Sequence, residues 1–170
     1  MPGTIIRSFA SPGARPRDLA FDGRALWLCD NDSDLIYQID PATGTVIRSF
    51  AAPATLGLGL AFDGRTLWHC DATAKTIYQI DPVTGRVLRS FAGPGAGGVG
   101  LTWGERTLWH SDPNSDLIYQ IDPATGRVIR SFGSPGGDGA SLAWDGRTLW
   151  HCDVTAKTIY QIDPATGRVI

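Results

Sequence analysis

The sequence predicts an all-β fold, a β-propeller for which one chain supplies four blades of four strands each. The first observation is a repeat, because the pair Ser-Phe recurs at 8–9, 49–50, 90–91 and 131–132, every 41 residues. The second is the fidelity of that repeat, since residues 45–85 and 127–167 are identical at 30 of 41 positions. The third is strand-like patterning without the apolar spacing of helices. Strand repeats of about 40 to 45 residues are typical of propeller blades.

The second copy shows how the strands of one blade follow from their turns. β-branched and aromatic residues indicate strands, which we place at residues 59–62, 66–70, 76–80 and 87–91. The link Asp63-Gly64 predicts a two-residue hairpin turn with positive φ at both central residues. The third copy has Gly104-Glu105 there, which predicts the other primed turn, with Gly first.

Each end of the chain contains part of an outer blade strand. The sequence predicts a single domain over residues 1–170, with blade repeats at residues 10–50, 51–91, 92–132 and 133–170. Residues 4–9 resemble an outer strand without inner strands, and the last copy stops at Ile170, early in its fourth strand. We therefore expect the N-terminal strand 4–9 to complete the last blade, which would remove an open sheet edge.

Two assemblies are compatible with four blades. One chain can close a four-bladed ring, or two chains can form one eight-bladed ring with twofold symmetry. Each blade face carries a Trp, and burial of a large apolar side chain contributes about 1.5–3 kcal/mol, so an open crescent would associate. Blades with such short turns suit the larger ring, which favours a homodimer. The Trp residues are Trp27, Trp68, Trp109 and Trp150.

Composition narrows the partners and the compartment. A hydrophobic content of 42% and a net charge of −2 indicate neither a nucleic-acid nor a membrane partner. Met1-Pro2-Gly3 has neither the charged nor the apolar region of a signal peptide, so we expect none in this chain and a location that is cytoplasmic or unknown. Three cysteines occupy one repeat position, which predicts small apolar filler in a reducing, cytoplasmic compartment rather than disulfides. They are Cys29, Cys70 and Cys152, with Ser111 in the remaining copy.

Several segments resemble the blades of NHL and YVTN propellers, including the streptogramin lyase-like branch. They are Gly59–Gly64, Leu67–Asp71, Ile77–Pro82 and Val87–Phe91. The resemblance implies the propeller fold over the whole chain, and the near-identity of the copies also suits a designed or recently amplified protein. Streptogramin lyases use a His and Glu set with magnesium on one face. The sole Glu, Glu105, falls on the opposite face from His110 in the predicted strands, so the resemblance does not imply that activity here.

Two groups of residues are candidates for ligand binding. His69, His110 and His151 share one repeat position, where Leu28 stands in the first copy. They can bind a metal or a ligand, although the Leu favours packing and hydrogen bonding. Arg15 and Arg17 give the first inter-blade loop a positive charge suited to an anion. Asp residues at the ends of the second strands are expected to bond their own turns.

No catalytic residue, metal site or cofactor is predicted. The favoured function is a non-enzymatic binding or self-assembling scaffold, with a peptide or glycan bound by the inter-blade loops at residues 10–18, 51–59, 92–100 and 133–141. The first alternative is an engineered or purely structural propeller without a natural ligand. The second is a lyase-like or metal-binding propeller, for which the residues offer no complete site.

Overall fold

The computed structural model describes residues 3–95 and 97–170, and their regular structure consists of fifteen β-strands. Blade 1 contains β1 (Pro16–Phe21), β2 (Leu26–Asp30), β3 (Leu35–Ile39) and β4 (Val46–Ala51). Blade 2 contains β5 (Gly57–Phe62), β6 (Leu67–Asp71), β7 (Thr76–Ile80) and β8 (Val87–Ala92). Blade 3 contains β9 (Gly100–Gly104), β10 (Thr107–Asp112), β11 (Leu117–Ile121) and β12 (Val128–Gly133). Blade 4 contains β13 (Gly139–Trp144), β14 (Leu149–Asp153) and β15 (Thr158–Ile162).

Every blade is an antiparallel meander in which neighbours in sequence are neighbours in the sheet. The inner strands β1, β5, β9 and β13 pack side by side around one axis, and the other strands lie progressively further out. These features confirm the predicted four-bladed propeller. The strand bounds in blade 2 agree with the expected ones to within two residues.

The hydrophobic core lies between the blades. We call the side of a blade that carries Trp68 and Ile77 in blade 2 its trailing face, and the side that carries Leu60 and Leu67 its leading face. Trailing faces of blades 1, 2 and 3 pack on the leading faces of blades 2, 3 and 4. Trp68 also contacts Phe91 of its own blade, with 6.0 Å between ring centroids. Interdigitated apolar residues of this kind exclude water and stabilise the fold.

The turn between the first two strands differs from the predicted hairpin. In blade 2 the loop has four residues, 63–66, and only Gly64 among them has positive φ. The Asp63 carboxylate accepts hydrogen bonds from the Arg65 and Thr66 amides, so Asp acts as a side-chain cap rather than as a central turn residue. Blade 3 lacks this Asp, and its turn has two residues, Glu105 and Arg106, both with positive φ. The assignment of the two turn types was therefore wrong.

The prediction for the last blade is not met within one chain. Blade 4 has three strands, and residues 3–10 form no strand. The C-terminus begins a fourth strand through one bridge, Ile162 to Val169, and ends there. Residues 7–9 instead lie beside the outer turn of blade 1, where Arg7 donates a hydrogen bond to the Pro41 carbonyl at 3.5 Å. That position is next to blade 1 rather than next to the free edge of β15.

Candidate functional site

The leading face of blade 1 and the trailing face of blade 4, together the two end faces, are exposed. Leu19 and Phe21 of blade 1 are 56% and 57% exposed, whereas Leu60 at the position equivalent to Leu19 is 2% exposed. On blade 4, Ile159 is 71% exposed, and its equivalent Ile77 is 1% exposed. In the described residues, β13 has no packing against β1 comparable to that between successive inner strands.

The end faces carry the residue types that are buried at the three interfaces between blades. Trp150 is 37% exposed, while Trp27, Trp68 and Trp109 at the same position are buried. The residues opposite these buried Trp side chains are large and apolar in each case, as they are on the open leading face. Exposed apolar surface flanked by polar turns is typical of a protein interaction site. The end faces therefore form the main candidate surface.

The second candidate region is the loop-bearing end of the central channel. Arg17 lines a cavity of about 280 Å³ together with Leu58, Val99 and Asp138. Arg15 lies further out, with its Nε 3.6 Å from an Asp32 carboxylate oxygen. The two arginines predicted as a pair therefore have different surroundings. Arg17 faces the cavity, whereas Arg15 contacts an acid of its own blade. Ala96, in the third loop, lies outside the described residues.

The three histidines are buried within separate blades. The carbonyl of Gly100 lies 3.1 Å from His110 Nδ1, and the Ser134 hydroxyl lies 2.8 Å from His151 Nε2. Neither ring nitrogen of His69 has a hydrogen bond of ordinary geometry, although the Gly59 carbonyl lies near it. Burial lowers the pKa of His69 and of His110 to about 4, which keeps both rings neutral near pH 7.

Close packing surrounds these rings. A Cβ on Gly57 would come 2.1 Å from a His69 ring atom, and a Cβ on Gly139 would come 2.4 Å from one of His151. The glycines therefore permit the loop backbone to lie against the imidazoles. The structure does not bring the histidines together with Arg15 or Arg17.

The Asp at the end of each second strand organises its own turn, as predicted. Asp30 accepts hydrogen bonds from the Ser33 amide and hydroxyl and from the Arg15 amide. Desolvation raises its pKa, but these hydrogen bonds outweigh desolvation and hold the pKa below its usual value. Equivalent bonds connect Asp71 to Ala74 and Asp153 to Ala156. The carboxylates are therefore engaged by backbone amides.

One partly buried acid was missed by sequence reasoning. Asp18 accepts the Leu60 amide at 2.8 Å, so its carboxylate crosses from blade 1 to blade 2. Desolvation raises its pKa to about 7 in spite of that hydrogen bond and one from Leu19. The sequence could have indicated this residue, because Asp18 is the one acidic residue at its repeat position. The equivalent residues are Gly59, Gly100 and Ser141.

The cysteines next to this acid are free thiols. Cys29 and Cys70 are buried, which confirms their role as small apolar filler. Burial and the nearby Asp18 raise the pKa of the Cys29 thiol to about 12, so it is protonated and unreactive near neutral pH.

A second unpredicted contact fixes the blade tryptophans. Asp22, Asp63 and Asp145 each accept the indole N–H of the Trp five residues later at 2.8 Å. Blade 3 has Gly104 in place of the Asp, and Trp109 Nε1 is buried without a hydrogen bond. The Asp-to-Trp spacing is visible in the sequence, but only the strand geometry shows that the two side chains meet.

The lyase-like set is not assembled by the described residues. Glu105 lies in the exposed turn at one end of blade 3, whereas His110 lies near the other end of β10. Within residues 3–95 and 97–170, no group of three or more His, Cys, Asp or Glu side chains is placed to hold a metal ion. The same part of the chain contains no helix long and apolar enough to cross a membrane.

Comparison with known proteins supports the fold class, a β-propeller, and no particular family. No family model matches the chain, and no curated protein is significantly similar to it. Among solved structures, it is similar to glutaminyl cyclase from Myxococcus xanthus, with a TM-score of 0.79 and 18% identity over 91% of this chain and 68% of that one.

Two further solved structures have a similar fold. The computationally designed Ika4 protein has a TM-score of 0.66 and 17% identity over 95% of this chain and 98% of that one. A catalytically inactive virginiamycin B lyase from Staphylococcus aureus with quinupristin has a TM-score of 0.69 and 20% identity over 96% of this chain and 57% of that one. Enzymes and a designed protein thus share this fold, which alone assigns no activity.

Proposed function

We propose that this chain is a non-enzymatic, self-assembling scaffold, in which two copies join their end faces into one eight-bladed ring. The observation that carries the proposal is the contrast between Ile159, 71% exposed, and its buried equivalents Ile36, Ile77 and Ile118. Within the chain, a trailing face packs on a leading face three times. The two open end faces carry the same residue types as those buried faces. A second copy supplies the missing half of both.

The energetics favour closure by two copies. Each of the two new contacts would bury Leu19, Phe21, Trp150 and Ile159. These side chains are 37–71% exposed in the single chain, so their burial removes apolar surface from water and opposes the cost of association. A twofold dimer leaves no open end, whereas a linear chain of copies always leaves two.

Light scattering combined with size-exclusion chromatography tests the assembly. The expected mass is twice the 18.2 kDa of one chain, and a mass of 18.2 kDa would contradict the proposal. Ile159→Asp places a charge on the open trailing face and should produce the single-chain mass. Val83→Asp is the matched control, because Val83 is also 71% exposed but lies in a turn away from the end faces.

The cavity at the loop-bearing end supports a second candidate function, binding of a peptide or glycan. Arg17 and Asp138 place opposite charges on the wall of this cavity of about 280 Å³, which Leu58 and Val99 also line. Mixed polar and apolar linings of this size suit small polar ligands. Glycan and peptide arrays test this function. Binding that Arg17→Ala abolishes would support it, and uniformly blank arrays would leave the scaffold without a natural ligand.

A further inference from the structure

Residues 7–9 lie against blade 1 as an outer strand of a preceding blade would. Phe9 is so close to Gly44 that a Cβ on that glycine would come 2.5 Å from the Phe9 ring. Between complete blades the same contact joins Phe50 to Gly85, where the corresponding distance is 2.7 Å. Residues 7–9 thus lie where the outer edge of a neighbouring blade belongs, although no described strand pairs with them there.

The arginine of this segment repeats the relation. Arg7 donates to the Pro41 carbonyl of blade 1, as Arg89 of blade 2 donates to the Pro123 carbonyl of blade 3 at 3.1 Å. The side chains of residues 7–9 therefore already have the contacts of an outer strand with the following blade. What they lack is a β-sheet of their own on the other side.

Blade 4 has the complementary defect. In the described part of the chain, the outward edge of β15 pairs through the bridge from Ile162 to Val169 and a hydrogen bond from the Ile170 amide to the Gln161 carbonyl at 2.9 Å. Val169 and Ile170 correspond to Val128 and Ile129, the first two residues of β12. Within residues 3–95 and 97–170, no segment pairs with β15 at the positions equivalent to residues 130–133.

We propose that residues 7–10 of one chain complete the fourth strand of blade 4 of the other chain, so that the dimer is closed by exchanged strands. This inference rests on the proposed dimer. The partner's Arg7 would follow Ile170 in register, as Arg130 follows Ile129 in β12. By equivalence with blade 3, the partner's Phe9 pairs with Ile159 and its Arg7 with Gln161.

Two contacts of blade 3 show what this strand would add. Arg130 Nε donates to Gln120 Oε1 at 2.7 Å, and Gln161 offers the same acceptor to the partner's Arg7. Trp109 and Phe132 have ring centroids 6.0 Å apart, and Trp150 offers the same surface to the partner's Phe9. The exposed apolar side chains of Trp150 and Ile159 are thereby covered by the same strand that supplies the missing backbone hydrogen bonds.

A cysteine pair across the new strand contact tests the exchange. Thr158 and Ala10 are equivalent to Thr76 and Ala92, which are directly opposite in β7 and β8. Gly93 donates to the Lys75 carbonyl at 2.9 Å, so the adjacent Thr76–Ala92 pair is of the non-hydrogen-bonded kind with closely spaced Cβ atoms. Such pairs lie near the separation that a disulfide needs.

The experiment uses the full chain with its three cysteines changed to serine, the residue at the equivalent position 111. Ala10→Cys with Thr158→Cys should give a covalently linked two-chain species on mild oxidation, seen by non-reducing electrophoresis and intact mass. Ala92→Cys with Thr76→Cys, the positive control, should give a cross-linked single chain. Ala10→Cys with Thr76→Cys, which joins the segment to the wrong blade, should stay unlinked.

The mass in solution before oxidation separates the possible failures. A single-chain mass would overturn the dimer and the exchange together, and an intrachain disulfide would then show a four-bladed ring closed by its own strand. A two-chain mass with no interchain disulfide, while the positive control cross-links, would overturn only the exchange. A two-chain mass with linked chains supports both.

Discussion

The interface between blades 2 and 3 and the two end faces carry the same side chains in different surroundings. Trp68 and Ile77 are buried against blade 3, whereas Trp150 and Ile159, identical in type and position, are 37% and 71% exposed. Nothing in the local sequence accounts for the difference, since β14 and β6 read Leu-Trp-His-Cys-Asp alike. The different exposure thus reflects the packing of a neighbouring blade on Trp68 and Ile77, and the end faces carry the residue types that such packing buries.

What does not change between the two regions is equally informative. The Asp145–Trp150 bond has the same 2.8 Å length as the Asp63–Trp68 bond, although only Trp68 has a blade packed on it. A blade therefore forms this turn and orients its Trp without a neighbour packed on that face. Packing between blades then supplies the burial.

The largest expected effect separates the two tryptophans. Trp68→Ala removes a side chain that is 1% exposed and should lower the free energy of unfolding by about 3–5 kcal/mol, independently of protein concentration. Trp150→Ala should mainly weaken association, so that its effect on urea unfolding grows as the chain is diluted. Equal, concentration-independent losses for both variants would contradict a second copy at the end faces.

The pH dependence of stability tests the role of Asp18 at the interface between blades 1 and 2. Its pKa is raised to about 7 in the folded chain, so its contribution is fully present below the ordinary value near pH 4 and is lost as pH rises through about 7. A shift of this size corresponds to a loss on the order of 4 kcal/mol. Asp18→Asn keeps an acceptor for the Leu60 amide and should remove this loss. Urea unfolding from pH 4 to 8 measures it, and an unchanged slope would contradict the assignment.

The histidines predict the opposite dependence at the interface between blades 1 and 2, which contains His69, and at that between blades 2 and 3, which contains His110. The pKa of His69 and of His110 is about 4 in the folded chain, so their contribution is fully present above about pH 6.5 and is lost as pH falls towards 4. Each can account for a loss on the order of 3 kcal/mol.

Leu28 identifies the matched change, because it stands at the histidine position in blade 1. His69→Leu should flatten the loss of stability between pH 6.5 and 4, measured by thermal unfolding in the Asp18→Asn background to remove the opposing slope. His151→Leu, on the face of blade 4 that packs on blade 3, serves as the comparison and should have a smaller effect, since the Ser134 hydroxyl and the Ser141 carbonyl lie beside the His151 ring nitrogens and favour the protonated ring. A larger effect for His151→Leu would contradict burial as the cause.

The indole caps give an intermediate effect. Asp63→Ala leaves the Trp68 indole N–H and two turn amides without their acceptor and should cost about 1–3 kcal/mol, measured by urea unfolding. Asp145→Ala removes the same bonds on blade 4, where water can replace the acceptor at the exposed Trp150, so the loss should be smaller in an undimerised Ile159→Asp background. Equal losses for Asp63→Ala and Asp145→Ala would show that the Asp stabilises only its turn and that its bond to the Trp indole adds nothing.

Sequence reasoning reached the fold because a 41-residue period with strand patterning leaves few architectures open. It failed at the Asp63 turn. Whether Asp63 is a central turn residue or a side-chain cap depends on its hydrogen bonds with the Arg65 and Thr66 amides, which the amino-acid sequence does not specify. It also missed Asp18, whose role depends on the amide of Leu60 in the next blade. Contacts between repeats are set by geometry, and the repeat pattern alone does not show them.

The smallest expected effect concerns backbone strain that both regions share. Lys75 and Lys157 have φ of 50° and 53°, a left-handed conformation that favours Gly over Lys. Lys75→Gly relieves this strain but increases the conformational entropy of the unfolded chain, so a net gain of about 0.5 kcal/mol is expected. Lys157→Gly should give the same gain, because the strain belongs to the turn and not to the neighbouring blade. Thermal unfolding of both variants in the Ile159→Asp background measures this, and a gain in only one of them would show that blade packing also affects these turns.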